Sequence, residues 1–339
     1  MEEGENRWRK ILLSGGALIG AAAAYNALAR KDVDELTNLI GGEEGGFEWR
    51  GRRIAFTRRG SGPPILLVHG IHAAAWSYEW HDNVDYLARG NTVYTIDLLG
   101  FGRSERPAIR YSARLYISLI SDFAHQVIGE PCVLIASSLS GAYAIVLGAR
   151  DPERFPALTL IAPTGLVRLN KPAGVTNEAG RLAVEAPVIG TAMFNALVSK
   201  RSIRHYLEKT YSDDSIVTDD LVDIYYWAAH QRGARHAPAA FISGHLNIDV
   251  RHALRRLSQP SLLVWGEEGS AAPIEEYRGF RAIKPDMELA VLTPAGDLPH
   301  DERPDDFNVI LSTWLNRLSL SSAHTPATLP GTPEVLPPT

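Results

Sequence analysis

Cys132-Val133-Leu134-Ile135-Ala136-Ser137-Ser138-Leu139-Ser140-Gly141 is an apolar run that ends in a serine- and glycine-rich bend and passes straight into the helical pattern Ala142–Gly148. A continuous apolar run of this length suits a strand covered on both faces. A strand that turns at once into a helix strains the backbone of the residue at the bend, so the residues two before and two after it must be small. Ala136 and Ser140 meet that demand around Ser138, so A-S-S-L-S-G satisfies the sterics of G-x-S-x-G. Ser138 then stands at the head of a helix, where free N–H groups and the helix dipole favour negative charge. That makes it the candidate nucleophile.

Working outward, Val68-His69-Gly70-Ile71-His72 follows the strand Ile65–Val68. The N–H groups of Ile71 and Leu139 would form the pair of oxyanion-hole donors that a tetrahedral intermediate requires. Further β-rich runs lie at Ile54–Thr57, Thr92–Ile96, Leu158–Ile161, Leu262–Trp265 and Glu288–Leu292, and Asp97-Leu-Leu-Gly-Phe-Gly-Arg-Ser104 follows one of them. Short strands alternating with longer helical patterns predict an α/β fold, a mostly parallel sheet with helices on both faces. Residues 166–255 break the rhythm with helical patterns at 178–186, 189–199, 201–210 and 217–231. They read as an all-helical cap over the carboxyl ends of the strands, where open α/β sheets bind ligands. The core is then 47–165 and 256–318.

Composition excludes other classes. The 339 residues are 45% hydrophobic and 22% charged with a net charge of −5, ordinary for a globular protein with a large core. Lys and Arg are scattered, so no nucleic-acid partner is expected. The single Cys132 rules out an intramolecular disulfide framework, and no histidine spacing suits a metal. Residues 11–29 are charge-free, about the length that spans a bilayer core, and follow Arg7, Arg9 and Lys10. Three readings stay open for residues 1–30: an uncleaved membrane anchor with the domain possibly extracytoplasmic, a signal peptide cut after Ala29, or a soluble Ala-rich helix of a cytoplasmic protein. Residues 319–339 read as a disordered Ser/Thr/Pro tail.

The segments LLVHGIHAAAWSYEW, TIDLLGFGRSERP, ASSLSGAYA, LLVWGEEG and GDLPHDERPDDF resemble, in order and spacing, the α/β-hydrolase superfamily, with the closest likeness to esterase- and epoxide-hydrolase-like members that carry a helical cap. The resemblance implies eight strands, a Ser-acid-His triad in that chain order, and neither metal nor cofactor. Two positions depart from it. The acid expected at the end of W-G-E-x-D is Gly269, and the base expected in G-H-x-P-H-x-E-x-P is Asp297. Glu268 lies one residue short of the acid position, and a loop could re-aim it. His300 lies three residues past the base position, on the order of 5 Å along a helix axis. Asp297 is expected to face Ser138, yet a carboxylate is a poor base for a hydroxyl. His72, beside the oxyanion loop, and His245, in the cap, are the other imidazoles within reach of the pocket.

The cap aromatics, with Trp76, Tyr78 and Trp80, fit either an apolar ligand pocket or ordinary packing; His72 and Trp76 are the expected pocket residues. Two functions therefore stand side by side. One is a serine-hydrolase-like enzyme on small apolar carboxylic esters, with Ser138 and a non-standard acid and base drawn from His300, Glu268 or Asp297. The other is a catalytically silent relative that keeps the pocket to bind an apolar ligand or partner.

Overall fold

The computed structural model describes residues 2–31, 33–171 and 173–323. Eight strands make one sheet: β1 Glu43–Trp49, β2 Arg52–Arg59, β3 Pro64–Val68, β4 Thr92–Ile96, β5 Val133–Ser137, β6 Leu158–Ile161, β7 Ser261–Gly266 and β8 Glu288–Leu292. Their spatial order is β1-β2-β4-β3-β5-β6-β7-β8. β2 runs antiparallel to β1 and β4, and every other pairing is parallel. β3, β4, β6 and β7 are buried at every position, as predominantly apolar strands in the middle of a two-sided sheet should be.

β1 is the strand that the periodicity does not reveal. Only Phe47 and Trp49 of its seven residues are buried, and two adjacent glycines dilute the pattern. Gly45 has a packing reason: a Cβ there would lie 2.1 Å from the Phe56 ring that crosses the strand.

The helices are α1 Glu2–Ala29, α2 Val84–Leu87, α3 Ala113–Phe123 and α4 Ser138–Arg150 before β6. Between β6 and β7 come α5 Val175–Glu185, α6 Ile189–Leu197, α7 Lys200–Thr210, α8 Asp219–His230, α9 His236–Ile242 and α10 Arg251–Arg256. α11 Tyr277–Ile283, α12 Pro299–Glu302 and α13 Pro304–Ala323 complete the chain. Side-chain caps set three of these starts: Ser112 accepts from Leu115 N before α3, Ser199 from Ser202 N before α7, and Thr218 from Leu221 N before α8. α9 and α10 fall outside the expected helical patterns; each is under two turns long, too short to show a period.

One core lies between the sheet and α3 and α4, a second between the sheet and α2 and α13. A third joins Phe194, Ile203, Leu207, Tyr211, Val222 and Tyr225 of the helical layer to Ala74 and Leu298. This third core matters for function, because Ala74 and Leu298 belong to the loops after β3 and β8. The helical layer is thereby fixed over the carboxyl end of the sheet by apolar burial.

Among the described side chains, α1 docks by its last turns. Asn26 bonds Val188 O (2.9 Å) and Asn195 (3.0 Å), and Tyr226 donates to Ala29 O (2.7 Å). Leu18 and Ile19 remain more than half exposed. Among the described residues no helix is long and apolar enough to cross a membrane; the side chains of residues 1–15 lie outside the description. α13 continues to Ala323, past residue 319, where the tail is expected to start; 324–339 lie outside the described residues.

Candidate active site

β5 ends at Ser137 and α4 begins at Ser138, whose φ of 52° is a left-handed conformation that a residue with a Cβ adopts only under constraint. The constraint is visible around it. Ser140 Oγ donates to His69 O (2.7 Å), and a Cβ on Gly141 would come 3.0 Å from Pro163. Strand, bend and helix are thus pinned to the β3 loop and to the residues after β6, and Ser138 is pushed up into a cavity.

The β3 loop is held from both sides. His69 Nε2 accepts from Leu98 N (3.1 Å), which leaves Nδ1 to donate to Gly70 O (2.6 Å). Buried Asp97 accepts from Ser77 N (2.8 Å), Arg103 N (3.1 Å) and Arg103 Nε (2.8 Å). Burial alone would raise its carboxyl, but Arg103, His69 and the backbone N–H groups of Ser77 and Arg103 together hold it below the ordinary range. The sequence of small residues in Asp97–Ser104 is now explained: Gly102 sits at φ 51°, and a Cβ there would strike the Asp97 carboxylate at 2.3 Å. Ile71 N and Leu139 N, the proposed oxyanion donors, carry no tertiary hydrogen bond among the described residues. Leu139 N also belongs to the first turn of α4, where no intrahelical acceptor exists.

The cavity has a volume of about 300 Å³ and is walled by Ile71, His72, Glu79, Ser138, Leu169, Tyr206, Phe241, Asp297 and Leu298, among others. A larger hollow of about 780 Å³ lies around Pro63, Tyr86 and Leu315, at the opposite edge of the strands and away from Ser138, so size does not select it. Among the described residues no cluster of side chains fits a metal ion.

The two departures from the triad face one another. A Cβ on Gly269 would lie 3.0 Å from Asp297 Oδ1, the separation expected of acid and base positions in contact. Asp297 lines the cavity with Ser138, and its carboxylate is engaged by the neighbouring loop. It accepts from Ala271 N (3.0 Å to each oxygen), Ala272 N (3.1 Å) and Ser270 Oγ (3.4 Å). Where an acid would orient a base, the residue at the base position ties down the loop at the acid position. Asp297 is expected from the sequence to face Ser138; the two line the same cavity, with the Asp297 oxygens engaged by these three neighbouring donors.

Glu268 is not re-aimed either. Its carboxylate accepts from Ala295 N (2.7 Å) and Thr293 Oγ1 (3.5 Å), so it braces the turn after β8 on the exposed side. Trp76 is buried against Tyr78 and borders a separate cleft with Leu39 and Trp227, so it is not a wall of the Ser138 cavity. His245 is held in the helical layer by Glu178 (3.0 Å) and Ser243 (2.9 Å), outside the cavity. His72 does line it. Its Nδ1 accepts from Ala74 N (3.3 Å), which fixes the tautomer with the proton on Nε2, a donor rather than a base. Burial lowers its pKa to about 4, with Glu79 pulling the other way, so the ring is neutral at neutral pH.

His300 is fully buried, and its Nε2 meets Glu79 Oε1 at 3.0 Å. The ring packs 4.4 Å from Trp80 and 5.7 Å from Phe307. Its Nδ1 has no partner; the tautomer that donates Nε2–H to the carboxylate avoids burying an unsatisfied N–H there. Glu79 is the residue that sequence reading missed. Its Oε2 accepts from Gly70 N (2.7 Å), and it lines the cavity while His300 stands behind it. Burial would raise its carboxyl, but the His300 bond and charge, followed by His69 and Gly70 N–H, hold it below the ordinary value. A glutamate inside the quoted Trp76-Ser-Tyr-Glu-Trp80 stretch gave one available signal, a lone charge among buried aromatics.

A family model described as "Alpha/beta hydrolase family" matches residues 65–309. A 2-hydroxy-6-oxo-6-(2'-aminophenyl)hexa-2,4-dienoic acid hydrolase of Metapseudomonas resinovorans is 25% identical over 287 residues, covering 82% of this chain and 91% of that one. A pimeloyl-[acyl-carrier protein] methyl ester esterase of Aeromonas hydrophila is 27% identical over 272 residues, covering 77% and 99%. Among solved structures, a serine hydrolase involved in carbazole degradation superposes with a TM-score of 0.68 at 23% identity, covering 81% of this chain and 99% of its own; at that identity the likeness speaks for the fold alone. The match over most of the chain, the eight-stranded sheet and the bend at Ser138 agree, and the chain belongs to the alpha/beta hydrolase family.

Proposed function

We propose that this chain is a serine-hydrolase-like enzyme acting on small apolar carboxylic esters, with Ser138 as nucleophile and without the family's usual acid and base. One observation carries the reading: Ser138 is held at φ 52° at the head of α4, beside two unengaged amides and on the wall of a mostly apolar cavity. A neutral ester fits those walls better than a charged one, because among the described residues the only cation on them, Arg168, is paired with Glu276 at 2.8 Å. The hydrolase and esterase relatives support the same class.

Turnover is slow on this reading. Loss of triad members typically removes about 10⁴ to 10⁶ of the rate and leaves about 10³ to 10⁴ over water. The bracing role of Asp297 favours a second reading, a silent relative that keeps the cavity for an apolar ligand. Labelling with a fluorophosphonate at neutral pH separates the two. Slow labelling of the protein and none of its Ser138→Ala variant is the expected result. An unlabelled but folded protein would leave only the binding role.

We further propose that residues 11–29 attach the chain to a membrane. The stretch is charge-free, α1 is 28 residues long, and Leu18 and Ile19 stand exposed beyond its docked end. The full chain is expected to float with lipid vesicles and a chain beginning at residue 30 to stay behind; equal behaviour refutes the attachment.

A further inference from the structure

The family's base has been lost from 297, yet the cavity retains one buried carboxylate beside Ser138. A Cβ placed on Gly70 would lie 3.4 Å from Glu79 Oε2, 3.6 Å from Ser138 Cβ and 3.3 Å from Ser137 Oγ, so these groups crowd one point at the mouth of the oxyanion loop. Glu79 forms part of the cavity wall at 2% exposure, with one oxygen on Gly70 N and the other on His300 Nε2. Each carboxylate oxygen accepts two hydrogen bonds, so both retain a lone pair. The cavity of about 300 Å³ has room for an acyl group and a water molecule together.

We infer that Glu79, oriented by His300, is the general base that activates water to clear an acyl group from Ser138. The inference rests on the proposed nucleophilic role of Ser138. In this step the water oxygen bonds to the acyl carbon while Glu79 takes the water proton. The bond from carbon to Ser138 Oγ then breaks, and the proton passes from Glu79 to Ser138 Oγ. The products are a free carboxylic acid, an intact serine and an ionised Glu79. The order is the reverse of the usual relay: the carboxylate stands next to the reacting atoms and the imidazole stands behind it, donating a hydrogen bond that fixes the carboxylate's rotamer.

The arrangement also limits the rate. A carboxylate held below its ordinary range accepts a proton weakly, and its charge opposes an oxyanion growing at Ile71 N and Leu139 N. Glu79 offers Ser138 no second imidazole, so formation of the acyl-enzyme stays slow, while a water free to move in the cavity reaches the carboxylate more readily than the fixed hydroxyl does.

The test is the lifetime of the acyl-enzyme. The full chain is mixed with p-nitrophenyl acetate, excess ester is removed, and the acetyl adduct on Ser138 is followed by mass spectrometry. In Glu79→Gln the adduct is expected to form and to persist at least about tenfold longer, the low end of a general-base contribution. Because an adduct forms only on a folded elbow, its appearance certifies the variant. Glu79→Asp covers a failure of Glu79→Gln to fold: it keeps the charge for His300 and Gly70 N–H, withdraws the carboxylate by one methylene, and must also lengthen the adduct's life. Adducts that form and clear at the natural rate in both variants overturn the role of Glu79 and leave Ser138 standing as nucleophile. Absence of any Ser138-dependent adduct in the natural protein overturns both.

Discussion

Gly269→Asp combined with Asp297→His is expected to raise kcat/KM on a small activated ester by about 10² to 10⁴ over the natural sequence, the order lost when triad members are removed. The two positions already meet, since a Cβ on Gly269 would come 3.0 Å from Asp297 Oδ1. Gly269 does not occupy a left-handed conformation, so its backbone accepts a side chain. On the proposed roles of Ser138, Ile71 N and Leu139 N, the double variant supplies the acid and the imidazole that positions 269 and 297 lack.

Neither single change should give this gain. Asp297→His alone removes the carboxylate that receives Ala271 N and Ala272 N, with no acid to orient the ring. Gly269→Asp alone sets a second carboxylate against Asp297. The effect is therefore strongly non-additive, and steady-state kinetics of the singles and the double variant measure it as a cycle. A double variant that is folded, labels at Ser138 and yet hydrolyses no faster than the natural protein would show that 297 does not point where a base must stand.

His300→Ala is expected to destabilise the fold by about 3–5 kcal/mol at neutral pH, the usual cost of removing one member of a buried pair. Glu79 would be left ionised, 2% exposed, with Gly70 N–H as its only direct partner, and a void would open between Trp80 and Phe307. Urea denaturation of the two proteins gives the difference, provided each unfolds in a single step.

The pH dependence carries a further sign. The folded carboxyl of Glu79 lies below its ordinary value, so its contribution to stability is whole above the ordinary carboxylate range and is lost as pH falls through the folded value. Removing His300 removes the leading favourable cause of that depression. The gap between the two proteins should thus be widest at neutral pH and narrow in acid. A gap that stays constant with pH would mean that the loss is packing alone.

Much of this site can be read from local sequence. Small residues on either side of Ser138 mark a strand-to-helix bend because a Cβ there meets a neighbour, and that contact is fixed within a few residues of chain. The buried strands are legible for a similar reason, since unbroken apolar runs serve a sheet covered on both faces. β1 is not, because Gly45 answers to the Phe56 ring on a different strand. Asp297 and Gly269 could be seen as departures from the family pattern, but the direction of the Asp297 carboxylate could not. It is set by competition among donors, and the amides of residues 271 and 272 win by proximity.

By itself, then, the sequence determined seven of the eight strands and the elbow at Ser138, which follow from periodicity and short-range sterics, while the resemblance to the family marked 269 and 297 as departures from its pattern. The tertiary structure alone decided that Glu268 and Trp76 turn away from the cavity, and that His300 stands behind Glu79. The Glu79–His300 contact joins residues 221 positions apart. No local pattern encodes such a contact. It exists because two buried polar groups, brought in on separate apolar segments, must find a partner or lose the cost of their desolvation.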